Sequence, residues 1–307
     1  MRALLVGNPL ATATSPRVHE VIAKALAAEL HLDLAQTEYR GHAIELGAKA
    51  TAQQYDYVIV VGGDGTVNEV VNGMLGAHPA PRIPTIGVIP GGSANVFARS
   101  LGLSNDPVEA TGQLLEALHA HRSRSISLGR VDGRWFVFTA GFGFDAEVVH
   151  HVELRRATGS KATPHLYART AVADFYRSAL RRQPPITLQV PGTEPIEGLF
   201  LCVVSNSTPW TYFKARPVEV SPRASFDAGL EIFAMRKART IAALRTMWQI
   251  THAHDKPGGA RAATFHDLAD FTLQSTQPIE LQVDGDFAGL HTSVHFRSVP
   301  NAISALV

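Results

Sequence analysis

An open α/β sheet followed by an antiparallel β domain is the fold class this sequence predicts, and three observations lead to it. From residue 3 to about 120, short apolar runs alternate with segments of helical period, as in βαβ units that lay helices over a parallel sheet. After Ser125 the period drops to two, in short runs separated by Gly, Pro and Asn, the pattern of an antiparallel sandwich or barrel. The chain has 307 residues, 45% of them apolar, enough for roughly two domains with sizeable cores and outside the compositions that stay disordered.

The first strand is expected at 3–6. Ser15 caps the next helix, with Pro16 at its first position and Val18, Ile22 and Leu26 on one face. Strands follow at 32–37, 57–61 and 85–89, with helices at 66–75, 94–101 and 107–121. The second half offers strands at 135–139, 186–190, 199–204, 230–233, 271–274, 279–283 and 293–296. Two helical segments interrupt them, at 165–182 and 240–252. The expected boundary therefore lies between 1–125 and 126–296.

Composition excludes several classes. A formal charge of +1 gives no electrostatic footprint for DNA or RNA. Cys202 is the one cysteine, which excludes a disulfide framework and a cysteine-based zinc site and fits a reducing cytoplasm. The opening MRALLVGNPLA is too short in apolar residues for a secretory signal. The longest uncharged stretches, 83–98 and 198–213, are broken by Gly, Pro, Asn and Ser and cannot span a bilayer. Any membrane contact is expected to be peripheral.

The sharpest chemical signal is VIVVGGDGTVNEVVNGML at 58–75, in which a buried strand runs through Gly62, Gly63, Asp64, Gly65 and Thr66 into a helix. In open α/β sheets ligands bind beyond the carboxyl ends of strands, and glycines let backbone N–H groups approach phosphate oxygens at a helix start. Asp64 repels phosphate unless a cation such as Mg²⁺ intervenes; the plainer reading of this carboxylate is a helix cap in a tight turn. A second loop of the same kind, Pro90, Gly91, Gly92, Ser93, Ala94 and Asn95, follows the next strand. A third, Gly7, Asn8 and Pro9 with Thr12, Thr14 and Ser15, follows the first. None is a Walker A or G-x-G-x-x-G sequence, which argues against a P-loop or dinucleotide site.

Taken together these residues resemble the diacylglycerol kinase catalytic-domain family of bacterial soluble lipid kinases, which includes the sphingosine and ceramide kinases. The resemblance covers nearly the whole chain and is closest in flavour to actinobacterial diacylglycerol kinases. It rests on Asn8-Pro9, Gly62 to Thr66 with Asn68-Glu69 and Asn72-Gly73, PGGSANVFAR at 90–99, GFGFDA at 141–146, DAGLE at 227–231 and Asp284-Gly285-Asp286.

The resemblance implies a phosphofructokinase-like or NAD-kinase-like first domain, a C-terminal β-sandwich for the lipid, ATP in the cleft between them, and residues after about 297 returning to the first domain. It implies transfer of the γ-phosphate of ATP to the hydroxyl of diacylglycerol, with Mg²⁺. Carried over by motif, Asn8, Pro9, Gly62, Gly63, Gly65, Thr66, Gly91, Gly92, Ser93 and Asn95 would bind the nucleotide. Asp64 would join a Mg²⁺–water network, Asp284 would be the general base with Asp286 beside it, and Asp227 would hold a second, structural Mg²⁺.

Two departures stand out. Val96 occupies a position where the family usually has Asp, with Glu69 or Asp145 as the available compensations. Asn206 to Trp210 replaces a glycine pair and shapes the acceptor entrance differently, with Trp210, Tyr212 and Phe213 lining it or packing as core. The acceptor therefore stays open to a sphingoid, ceramide or other lipid alcohol. NAD kinase and a non-catalytic nucleotide-binding protein remain as alternatives, and a homodimer stays open. Residues 155–182 carry seven Lys or Arg against Asp174, with Ala168, Val172, Phe175, Tyr176 and Ala179 at helical spacing. They read either as a helix docking on an anionic bilayer or as an ordinary helix packing its apolar stripe. The pair His150-His151 and the residues His252 and His254 show no complete metal-ligand set.

Overall fold

The structure, a computed structural model, describes residues 1–9, 15–77, 80–157, 164–178, 183, 185–213, 216–236 and 262–307. Two compact units divide the chain: unit 1 comprises 1–127, 133–135 and 301–307, and unit 2 comprises 128–132 and 136–300.

Unit 1 opens with β1 (Arg2–Gly7), α1 (Pro16–Ala27), β2 (His31–Gln36), α2 (His42–Ala52), β3 (Tyr57–Gly62), α3 (Asp64–Leu75), β4 (Thr85–Pro90), α4 (Val96–Ser100) and α5 (Pro107–His119). The strands pair in parallel in the order β2-β1-β3-β4. Chain order thus reverses between β1 and β3, and the carboxyl ends on either side of such a switch point form the natural ligand crevice of an open α/β sheet. The helices start where the sequence supplies acceptors. Ser15 Oγ accepts from Val18 N at the head of α1, and Asp106 accepts from Val108 N and Glu109 N at the head of α5, each followed by proline. β1 and β3 are buried almost throughout, as continuous apolar runs in a parallel sheet should be.

The pattern at 66–75 has a packing reason beyond its apolar face. A methyl group at Gly73 of α3 would lie 2.8 Å from the Ile44 carbonyl carbon, so this glycine permits α2 and α3 to touch backbone to backbone. Four residues apart on α3, Asn68 and Asn72 both donate to the Trp135 carbonyl (2.9 and 3.0 Å), while Trp135 N donates to Asn72 Oδ1 (2.9 Å). These two asparagines therefore fasten residue 135 onto unit 1.

Beyond α5 run β5 (Ser123–Val131), β6 (Arg134–Phe136), β7 (Thr139–Gly143), α6 (Phe144–Ala157), α7 (Pro164–Arg177), β8 (Ile186–Gln189) and β9 (Ile196–Ser205). They are followed by β10 (Thr211–Phe213), β11 (Arg216–Val218), β12 (Leu230–Arg236), β13 (Ala262–Leu268), β14 (Asp270–Val283) and β15 (Asp286–Leu306). In unit 2 the strands pair antiparallel in the order β13-β12-β9-β7-β14-β15, with β8 bridging β14 and β9, and β10–β11 forms a separate ribbon. Phe271 stacks on Phe296 at 5.0 Å between centroids, and Phe136 meets Phe296 edge-on at 6.2 Å within the unit 2 core. The last residues of β15 belong to unit 1, where Ala305 pairs in parallel with Ile86 of β4 and Arg122 Nε donates to the Val307 carbonyl.

The broad expectation, an α/β first half and a β-rich second half, is what the fold shows. Several elements differ in detail. The expected strand 135–139 is split, because the N–H groups of Val137, Phe138 and Thr139 go to a side-chain carboxylate rather than to a neighbouring strand. The expected helix 94–101 begins only at Val96, since Asn95 is left-handed (φ +48°) and bonds back to Gly92 with its side-chain oxygen and nitrogen. α2 has no side-chain cap and starts at Gly41 (φ +92°), so no start signal marked it, and α6 emerges directly from the GFGFDA motif. The expected helix 240–252 lies outside the described residues.

Candidate functional site

The candidate site residues of unit 1 gather at the carboxyl ends of β1, β3 and β4. Asn8, just past β1, donates its backbone N–H to the Val61 carbonyl of β3 (3.1 Å) and its side-chain amide to Thr66 Oγ1 on α3 (3.0 Å). Gly91 N donates to the Gly62 carbonyl (2.8 Å), drawing the β4 loop onto the β3 loop. The contact is so close that a Cβ on Gly92 would sit 2.7 Å from Gly63 Cα, and one on Gly63 would sit 3.2 Å from Gly92 Cα. The approach is made by backbone on both sides, so a methyl group added at Gly92 would force the two loops apart. Pro9 and Ser93 are exposed at the rim, Gly65 is half-buried and Thr66 is buried. Glycine backbone of two loops thus comes together at the head of α3, beside the sheet's switch point, where free N–H groups of a helix start suit an anion.

Asp64 behaves first as a cap. Its Oδ2 accepts from Val96 N and its Oδ1 from Phe97 N, both at 3.0 Å, so the carboxylate of the first loop holds the head of the helix that follows the second. Burial pushes this carboxyl above the usual range, opposed chiefly by those backbone amides. Glu69 has a local partner, since its Oε1 accepts from Gly41 N at 3.0 Å.

Among the described residues no three His, Cys, Asp or Glu side chains gather as a metal cluster. Asp227 is exposed in a turn where its N–H donates to Ser225 Oγ. Direct caging by side chains does not fit. A Mg²⁺ ion here would keep most of its waters, and Asp64, whose oxygens accept from Val96 N and Phe97 N, would meet it only through them.

In unit 2, Asp284 and Gly285 form the two-residue turn joining β14 to β15. Both have positive φ (+49° and +83°), as an Asp-Gly hairpin turn requires. The Asp284 side chain, 5% exposed, does not point to water. Its Oδ2 accepts from Val137 N (2.7 Å) and its Oδ1 from Phe138 N (3.0 Å) and Thr139 N (2.9 Å). On the other side of the same segment Asn206 donates its amide to the Val137 carbonyl (3.0 Å) and its N–H to that of Phe138 (2.9 Å). The short stretch between β6 and β7 is thus held by side chains as a strand would be held by neighbours. Asp286, half-buried, opens β15 opposite Val283.

Residues 2–131 match the family described as diacylglycerol kinase catalytic domain. A protein of Bacillus subtilis named diacylglycerol kinase is 32% identical over 160 residues, 51% of this chain and 50% of that one. The chain thus spans about half the length of that relative. A Chromohalobacter salexigens protein named "Probable lipid kinase YegS-like" is 28% identical over 279 residues, 90% of this chain and 84% of that one. A crystal structure of a diacylglycerol kinase from Bacillus anthracis superposes with a TM-score of 0.72 at 20% identity, covering 99% of this chain and 96% of that one; this likeness speaks to fold alone.

Unit 1 gathers Asn8, Gly62, Gly63, Thr66, Gly91, Gly92 and Asn95. Asp227, Asp284 and Asp286 belong to unit 2, and 284–286 lie beyond the matched catalytic-domain residues. Thr12 and Thr14 lie outside the described residues. Sequence reasoning gave Asn206 no role in holding residues 137–138, and nothing local to NSTPW signals one. It also missed the pairing of Asp145 with Gln282. Asp145, 7% exposed, accepts from Gln282 Nε2 at 2.8 Å, and burial, opposed by that bond, pushes its carboxyl up to about 6. An acid raised above its unfolded value holds its proton more tightly when folded. The folded state is therefore at no disadvantage below pH 4 and loses stability as the pH rises through about 6. Asp145→Asn, neutral throughout, is expected to exceed the parent in stability by about 2–3 kcal/mol at pH 8 and to match it below pH 4. Urea midpoints across that range check this; a difference independent of pH would contradict it.

The paired histidines are placed structurally. His151 Nδ1 meets Asp174 at 2.9 Å, and His150 stacks on Phe287 at 3.9 Å. His252 and His254 lie outside the described residues.

Proposed function

We propose that the chain is an ATP-dependent lipid kinase that transfers the γ-phosphate to the hydroxyl of diacylglycerol, giving phosphatidic acid and ADP. One observation carries the reading: the loops after β1, β3 and β4 converge backbone to backbone on the switch point of a parallel sheet. That arrangement suits a polyphosphate. The catalytic-domain match and the kinase names of the relatives supply the reaction class.

In the proposed reaction the lipid hydroxyl oxygen attacks the γ-phosphorus, the bond to the β–γ bridging oxygen breaks, and the hydroxyl proton passes to the carboxylate of Asp284, with Asp286 beside it. Transfer of this kind needs positioning and charge neutralisation more than covalent chemistry. Backbone amides of the Gly63 and Gly92 loops, with Asn8, Thr66 and Ser93, would hold the phosphates in register. Mg²⁺ on the phosphates would supply the remaining positive charge.

Purified full-length chain with labelled ATP, Mg²⁺ and separate diacylglycerol, sphingosine, ceramide and NAD acceptors tests the proposal. Labelled phosphatidic acid is expected. Label on a sphingoid or on NAD alone would replace the acceptor, and bound ATP with no labelled product would leave a nucleotide-binding protein without catalysis.

Peripheral contact with an anionic membrane in the cytoplasm belongs to the same proposal. Among the described residues no helix is long and apolar enough to cross a bilayer. Of the expected apolar stripe, Phe175 of α7 packs against the unit 2 core, together with its neighbours Tyr167 and Ala171, while Ala168, Tyr176 and Ala179 have side chains outside the described residues. Val172 (59% exposed) and Leu154 of α6 (55%) remain outside, with Arg156 and Arg169 also exposed. Lys161, Arg181 and Arg182 lie outside the described residues. Sedimentation with liposomes is expected to require anionic lipid and to fall with salt; binding indifferent to both would remove this part.

A further inference from the structure

The GFGFDA motif at 141–146 has no part in the chemistry set out above, yet its geometry leads to the turn that bears Asp284. Asp145, near the start of α6, accepts from Gln282 Nε2 at 2.8 Å. The other end of that side chain is also occupied, because Gln282 Oε1 accepts from Gly285 N at 2.9 Å. Gln282 is 1% exposed, so its amide has no water to fall back on and each end must keep its protein partner. Space for the pair is provided by Gly141, which lies opposite Gln282 across β7 and β14. A Cβ at Gly141 would collide with Asp145 Oδ2 and stand 2.9 Å from Gln282 Nε2.

We propose that Asp145 is the positioning residue of the Asp284–Asp286 turn, acting through Gln282. An ionised Asp145 can only accept, so it draws the amide nitrogen of Gln282 toward itself and leaves the oxygen facing the N–H of Gly285. Gly285 is thereby fixed between Asp284, whose carboxylate grips residues 137–139, and Asp286. Protonated Asp145 can donate instead, which lets the Gln282 amide turn over and present N–H to the N–H of Gly285. The grip on the turn is then lost.

Other charged groups share this neighbourhood. Tyr167 of α7 feels the carboxylates of Asp286, Glu153 and Asp145 and the guanidinium of Arg156, and burial together with those carboxylates raises its hydroxyl. Glu153 Oε1 accepts from Phe287 N on β15. Two residues from Asp145, Glu147 accepts from Ser178 Oγ and lies near His151, Asp174 and Glu280. None of these is hydrogen-bonded to Gln282 or Gly285 in the bonds described above. The effect of Asp145 on the turn can therefore be separated from theirs by substituting Asp145 and Gln282 alone.

The consequence for turnover rests on the kinase reading, whereas the linkage itself does not, so the experiment on the full chain has two readouts. In the first, the backbone amide resonance of Gly285 is followed between about pH 5 and pH 8. It is expected to titrate with a midpoint near 6, as the Asp145 carboxyl does, and to stop titrating in Asp145→Asn. In the second, kcat and KM are measured for transfer from ATP to diacylglycerol. Asp145→Ala and Gln282→Ala are each expected to lower kcat by about tenfold or more while leaving KM for ATP within about twofold. The double variant is expected to be no worse than either single one, as for two residues in one chain of bonds. Asp145→Asn is expected to remove the decline in kcat below about pH 6.

A Gly285 resonance that ignores both pH and Asp145→Asn would overturn the proposal, as would additive losses in the double variant. If Asp145→Ala fails to fold, Gln282→Ala and Asp145→Asn decide by the same criteria. A Gly285 amide that titrates through Asp145 in a protein that phosphorylates no lipid would support the linkage and count against the kinase reading.

Discussion

Asp284→Ala is expected to lose most of its phosphoryl transfer and a large part of its folding stability together. The carboxylate takes three backbone N–H groups from consecutive residues in a buried place, and alanine leaves all three without that acceptor. Each abandoned buried donor costs about 1–3 kcal/mol, so a loss of about 3 kcal/mol or more is expected from a total that is usually 5–15. Asp284→Asn separates the two effects. With its oxygen in the place of Oδ1 it keeps the bonds to Phe138 and Thr139, and its NH₂ then opposes Val137 N–H. The asparagine variant should recover part of the stability and none of the proton-accepting capacity. Urea unfolding and lipid-kinase turnover, measured where far-ultraviolet dichroism shows each variant folded, check both. Parental stability in the alanine variant would contradict the structural part, and parental turnover in the asparagine variant would contradict the base.

Gly92→Ala should give the opposite signature, with nucleotide binding lost and the fold kept. The added methyl carbon would stand 2.7 Å from Gly63 Cα, in a contact made by two backbones rather than by a side chain that can swing away. The loops must part, and the amides proposed to hold the phosphates lose their register. Because Gly92 lies at the loop rim rather than in the core, a shift in melting temperature of only a few degrees is expected, alongside a rise of about tenfold or more in Kd for ATP. Calorimetric titration with ATP checks this; parental affinity would show that the loops do not need their close approach.

Much of the first unit was legible because its signals are local. Ser15-Pro16 and Asp106-Pro107 mark helix starts, and continuous apolar runs before glycine mark buried strands whose ends carry the loops. The loops that the sequence picked out at Asn8, Gly62–Thr66 and Pro90–Asn95 lie together because parallel strands bring their carboxyl ends to one edge. Long-range side-chain bonds were not legible. Asp64 reads as a metal ligand or a cap of its own helix, and the structure has it capping α4, about thirty residues on. Asp284 reads as either turn or base, and its grip on residues 137–139 depends on a contact that no local pattern encodes. The same holds for Asp145 and Gln282, whose bond spans 137 positions and whose only local trace is the glycine at 141 that makes room for it.

The central claim is that the loops after β1, β3 and β4 bind the phosphates of ATP. Amide chemical shifts of the full chain titrated with ATP and Mg²⁺ test it most directly. The largest changes are expected at Asn8, Gly63 to Thr66 and Gly91 to Asn95, and they should collapse in Gly92→Ala. Saturable ATP binding that leaves those amides unmoved and shifts residues elsewhere would contradict the claim.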